Sequence, residues 1–128
     1  MRSIDASGEI QRIYDSIPPD HPEAGQKYKK NKEVVYLIIC AGVGFAELYK
    51  VGVITSIGIY VHPDYRGCGF GKKLVAACQD YARKKSEAIE WYVAAENLAS
   101  RNLAKSCGFR MVKYLSNTEM KTYIWEGR

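Results

Sequence analysis

The sequence predicts an α/β fold built on a mixed, mostly antiparallel sheet, and three observations carry that prediction. Apolar, β-branched runs follow one another between residues 34 and 61 with only glycine-bearing turns between them. A loop rich in glycine, Arg66-Gly67-Cys68-Gly69-Phe70-Gly71, then leads into a stretch with the apolar period of a helix. A further apolar strand follows that helix. Strand, helix and strand around the loop need a crossover, which makes that one strand pair parallel.

The elements can be justified in chain order. Ile10, Ile13, Tyr14 and Ile17 recur at i, i+3, i+4 and i+7, so an amphipathic helix is expected over about residues 7 to 17. Pro18-Pro19-Asp20-His21-Pro22 ends it, because proline cannot continue a helix and restricts the residue before it. Residues 23 to 32 are polar and lysine-rich, a loop or a weak second helix. Val34 to Ile39, Phe45 to Tyr49 and Val53 to Val61 read as an antiparallel meander, closed by Pro63, which cannot donate to a sheet ladder. Phe70, Leu74, Ala77, Cys78, Tyr81 and Ala82 form the apolar face of a helix reaching about Lys85. A fourth strand is expected from Ala88 to Ala94, and a helix from Asn97 to Cys107 stopped by Gly108. Residues 110 to 116 and 119 to 125 alternate as a closing strand pair.

With 128 residues the chain is read as a single domain, large enough for a core without metal or disulfide staples. No apolar run approaches the roughly 20 residues needed to span a bilayer, and the first residues carry no apolar signal stretch, so a cytoplasmic location is the default. Cys40, Cys68, Cys78 and Cys107 form no Cys-x-x-Cys pair, which argues against a zinc site and for reduced thiols. The net charge of +5 favours an anionic partner. The lysines are scattered rather than packed into a basic tract with interleaved aromatics, which disfavours nucleic acid.

The glycine loop holds the chemistry. Glycines let a backbone turn sharply and bring its N–H groups close to a ligand, and the helix that follows adds unpaired donors and a partial positive charge. Together they suit a pyrophosphate, with Arg66 and Lys72 expected to add charge. A plain connecting turn is the competing reading. The spacing Gly67-x-Gly69-x-Gly71 is not the Gly-x-Gly-x-x-Gly of a dinucleotide fold. Nor does a Gly-Lys-Ser/Thr sequence close the loop as a P-loop requires.

The stretch from Val61-His62-Pro63-Asp64-Tyr65-Arg66 through Gly71-Lys72-Lys73-Leu74 resembles the acetyl-CoA-binding motif of the GNAT superfamily of N-acetyltransferases. Asn97 to Phe109 is similar to that family's later helix, which starts at an Asn and ends in Gly-Phe. The resemblance covers about residues 34 to 125; residues 1 to 33 match loosely and are shorter than the family's usual first strand and helix pair. It implies a parallel strand pair splayed around CoA with helices on both faces, acetyl-CoA as co-substrate, and direct transfer of the acetyl group to an amine. The backbone of Ile59, Tyr60 and Val61 would bond the pantetheine and polarise the thioester. The main chain of Arg66, Gly67, Cys68, Gly69, Phe70, Gly71 and Lys72 would hold the pyrophosphate. Asn97 would bond the pantetheine arm or serve as a plain helix cap, and Ser100 would line the CoA channel or simply face water.

The catalytic pattern departs from the family's. Thr55 stands where many members carry a general-base Glu, and Ala104 where many carry a general-acid Tyr. Tyr92 and Glu47 are the candidate replacements, against the plainer readings of a core tyrosine and a solvent-facing strand carboxylate. Glu96 reads as an acid favoured by the helix dipole, Cys107 as packing, and His62 as a surface residue at a strand end. No Cys–His or Ser–His arrangement suggests an acyl-enzyme. A non-catalytic acyl-CoA-binding module is the rival class, kept open by Thr55 and Ala104. A homodimer through the edge of the C-terminal strand pair is a further expectation.

Overall fold

The computed structural model describes residues 6–112 and 120–127. In chain order it forms α1 (Ser7–Asp15), β1 (Glu33–Cys40), β2 (Gly44–Val51), β3 (Ile54–Val61), a 3-10 turn (Pro63–Tyr65), α2 (Phe70–Lys84), β4 (Ile89–Ala94), α3 (Leu98–Ser106), β5 (Arg110–Val112) and β6 (Met120–Trp125). The strands make one six-stranded sheet in the order β1-β2-β3-β4-β6-β5. Its pairs are antiparallel except β3 with β4. The mixed, mostly antiparallel α/β sheet expected from the sequence is the sheet observed. Residues 23 to 32 form a loop rather than a second helix. The expected strand over residues 110 to 116 is described only as far as Val112, and residues 113 to 119 lie outside the described residues.

Helices cover both faces, as expected. On one side Leu74, Val75, Cys78 and Ala82 of α2 and Ala104 of α3 pack with Leu48, Ile57, Trp91, Tyr123 and Trp125 of the sheet in the main core. A Schellman arrangement ends α3: Phe109 N–H bonds to Ala104 C=O (3.0 Å) and Gly108 N–H to Lys105 C=O (3.1 Å), with Gly108 at φ +88°. That turn drops Phe109 edge-on against Trp91, ring centroids 5.3 Å apart, so the stop signal also seats a core residue.

On the other side Ile10 and Ile13 of α1 pack against Phe45. Here α1 also organises the loop beside it. The Gln11 side chain donates to Gln26 C=O (2.9 Å) and accepts from Tyr28 N–H (2.8 Å), pinning the lysine-rich loop against the sheet. Strand β2 is therefore covered on both faces, which its alternating sequence did not suggest.

The parallel pair meets in register at Ser56 and Glu90. Beyond that point β3 and β4 share no further ladder, so Ile59 and Val61, whose backbone groups face away from β2, have no strand partner on that side. Such groups are costly to leave unpaired unless solvent or a ligand reaches them.

Candidate functional site

A cavity of about 860 Å³ opens where β3 and β4 part. It is lined by Ile59, Tyr60 and Val61, by the loop from Arg66 to Gly69, by the first turn of α2, and by Asn97, Ser100 and neighbours on α3. Of the residues proposed from sequence to hold CoA, Ile59, Tyr60, Val61, Arg66, Gly67, Gly69, Phe70, Gly71, Lys72, Asn97 and Ser100 all meet there. Cys68 does not line it; its thiol is exposed and turned back toward the Arg66 carbonyl. The sequence reading missed Glu23, Tyr65, Ala99, Asn102, Leu103 and Ser106 in the lining. Ala99, Asn102, Leu103 and Ser106 share one helical face, so the i, i+3, i+4, i+7 period could have found them.

The loop is built for an anion. Gly67 and Gly69 hold φ of +78° and +86°, and a Cβ built on either meets nothing within 4 Å. The backbone conformation, rather than crowding, requires glycine there. Gly69 caps α2 without any side-chain bond, which leaves the first-turn N–H groups available to a ligand. These features fit a pyrophosphate group.

Arg66 corrects one expectation. Its guanidinium does not reach into the loop as spare charge: it grips Glu23 through two bonds of 2.7 and 2.6 Å and donates from Nε to Val61 C=O at 3.0 Å. Tyr60 OH donates to the same Glu23 carboxylate at 2.8 Å. The Arg66 bonds hold the Glu23 carboxyl down at about 2, against burial and with help from Tyr60. Arg66 thus fastens the N-terminal loop to the mouth of the cleft.

A second cavity of about 400 Å³ lies on the α1 face, lined by Tyr14, Lys27, Tyr28, Lys29, Asn31, Lys32, Phe45, Glu47, Gly58 and Ile59. Ile59 borders both cavities. Glu47 is not the solvent-facing carboxylate of the plainer reading, being only 2% exposed. It stands opposite Gly58 in the β2–β3 register, and the missing side chain there leaves it room. Tyr28 OH donates to Glu47 Oε2 (2.7 Å) and Lys32 Nζ to Oε1 (2.8 Å). Burial pushes the Tyr14 hydroxyl up to about 12, with the Glu47 charge adding to the effect.

Tyr92 falls on neither cavity and is not a core residue. It is 40% exposed and its OH donates to Glu90 Oε1 at 3.0 Å. Thr55, at the usual base position, is buried beside the Lys50–Glu87 ion pair, with Lys50 Nζ donating to its hydroxyl at 2.7 Å. Ala104 is fully buried in the core. His62 is also buried, contrary to expectation, because its Nδ1 accepts from Asp64 N–H (3.0 Å) and caps the 3-10 turn. Asn97 fulfils the cap reading, accepting from Ser100 N–H at 3.1 Å, and lines the cleft as well. Burial raises both the Cys78 thiol, to about 12, and the Cys107 thiol, the opposite of an activated nucleophile.

Among the described residues no helix is long and apolar enough to cross a membrane. No curated protein matches the chain. Solved structures do. A Salmonella typhimurium protein determined with its cofactor acetyl-CoA shares 21% identity at a TM-score of 0.58, over 67% of this chain and 58% of that one. An N-acetyltransferase from Staphylococcus aureus Mu50 shares 21% at 0.61, over 67% and 61%. A spermidine N-acetyltransferase chimera from Vibrio cholerae shares 22% at 0.55, over 66% and 60%. The chain spans about three fifths of the length of these proteins, and the likeness is one of fold. The model of the acetyltransferase (GNAT) family matches residues 8–109, and with the splayed strand pair and glycine loop in place, the chain belongs to that family.

Proposed function

We propose that this protein is an N-acetyltransferase that moves the acetyl group of acetyl-CoA directly onto a primary amine. The observation that carries the reading is the shared wall at Ile59, with an anion-cradling cleft on one side and a chamber containing a buried carboxylate on the other. Acetyl-CoA supplies an activated thioester. The net change breaks its C–S bond, forms a C–N bond, and leaves on sulfur the proton that the amine gives up.

The chain's residues divide the work. The loop from Arg66 to Lys72 and the start of α2 hold the pyrophosphate, and the backbone on the open side of β3, at Ile59 and the Val61 N–H, aligns the pantetheine. Glu47 receives the amine. Each of its oxygens already accepts one bond, and a carboxylate has about four lone-pair sites in all. It therefore has room for an ammonium, and for its proton once water carries it. Holding both reactants in place supplies roughly 7–11 kcal/mol, and a positioned base about 10²–10⁴-fold more. An amine of pKa near 10.4 costs about 4–5 kcal/mol to deprotonate at pH 7, whereas one near 8 costs about 1–2 kcal/mol.

Incubation with acetyl-CoA and a panel of amines, following free thiol, tests the reading. Thiol release that depends on the amine, with acetylated product by mass, is expected. Tight CoA binding without release for any amine would instead make the protein a binding module.

A further inference from the structure

We infer that the preferred acceptor is a small amine that also carries a carboxylate, in contrast to the polyamine named for the Vibrio cholerae relative. This rests on the reading above of the smaller cavity as the acceptor chamber. The argument is one of charge arranged by depth. At the floor lies Glu47, buried and bonded by Tyr28 and Lys32, a receptor for an ammonium group. Lys32 is fixed in place by that bond and by the rings of Tyr28 and Tyr49, 5.6 and 5.5 Å from its Nζ. It occupies one site on Oε1, and a lone-pair site on each Glu47 oxygen is left for the ammonium.

Further out, Lys27 and Lys29 line the same cavity and are exposed. Neither is paired with an acidic side chain among the described residues. Asn31 adds a polar side chain beside them. A molecule whose ammonium sits on Glu47 therefore presents its far end to two uncompensated positive charges. A second ammonium there meets like charge, and a carboxylate meets opposite charge. Tyr14, Tyr28 and Phe45 supply an apolar wall between the two ends. The cavity of about 400 Å³ suits a small molecule.

Matched acceptors test this. 4-Aminobutyrate is compared with 1,4-diaminobutane, and 6-aminohexanoate with 6-aminohexanamide, by thiol release and by calorimetric titration into CoA-saturated protein. In each pair the carboxylate member should win by about fivefold or more, the scale of one to two exposed charge pairs. The double variant Lys27→Glu/Lys29→Glu should reverse the order while leaving CoA affinity and melting temperature unchanged. A preference for the diamine, or an order that survives the double reversal, would overturn the inference. If the carboxylate amine binds preferentially and nothing is acetylated, the enzyme reading falls and the chamber's charge selectivity stands.

Discussion

The two cavities that meet at Ile59 are made of different materials. The anion end of the larger is built mostly of backbone: two glycines with positive φ and the open first turn of α2, beside strand groups left unpaired by the splay. The smaller is mostly side chain: a carboxylate, lysines and aromatic rings drawn from α1, a loop and two strands. A backbone cradle recognises a group common to many ligands and tolerates change in the side chains around it. A side-chain chamber takes its selectivity from each residue in turn. On the proposed reading, donor recognition and acceptor choice rest on different kinds of group and are coupled at Ile59.

The sharpest way to break that contrast is at Glu47. Glu47→Gln should lower kcat by about 10²–10⁴-fold, the contribution of a positioned base, with the KM for acetyl-CoA unchanged. Steady-state kinetics at saturating acceptor would show it, and an unchanged kcat would remove Glu47 from the chemistry. Next in size is Gly69→Val. A β-branched residue at φ +86° pays about 1–2 kcal/mol for the left-handed conformation. Relaxing it should distort the cradle, so calorimetry should find CoA binding weakened about tenfold or more and amine binding untouched.

A smaller effect concerns pH. The Glu23 carboxyl is lowered in the folded protein from 4.5 to about 2, chiefly by Arg66. Its stabilising contribution is therefore complete above about 4.5 and fades as pH falls toward 2. The melting-temperature gap between the protein and Glu23→Gln should be constant at neutral pH and close in that acid window. A gap that instead widened in acid would contradict the assignment. Smallest of all, Tyr92→Phe should change stability by no more than ~0.5 kcal/mol, as at other surface positions, and leave thiol release unchanged. A large loss of rate would return Tyr92 to the site.

The donor side was legible in the sequence because its causes are local. Glycine spacing, a strand before the loop and a helix after it lie within a few residues of one another, as do Asn97 and the turn it caps. The proposed acceptor side depends on distant pairings. Nothing in Phe45-Ala46-Glu47-Leu48-Tyr49 says that both faces of β2 are covered, since that follows from Gln11 pinning residues 26 to 28 across the sheet. Tyr28 and Lys32 become partners of Glu47 only after that loop is laid down. Arg66 was misread for the same reason: its partner, Glu23, is 43 residues away. His62 looked exposed because a side chain that caps its own turn cannot be told from one that faces water by pattern alone.

The single residue between the cavities has a consequence for redesign. Ile59 borders both spaces, so shaving it to admit a longer acyl chain also deepens the neighbouring chamber. Bulking it to exclude such chains would, on the proposed reading, crowd the acceptor. Acyl length and acceptor size are thus tied at this position, and a variant library that samples Ile59 alone will trade one against the other. Separating them calls for paired changes, with Gly58 or Phe45 adjusted on the side of the smaller cavity.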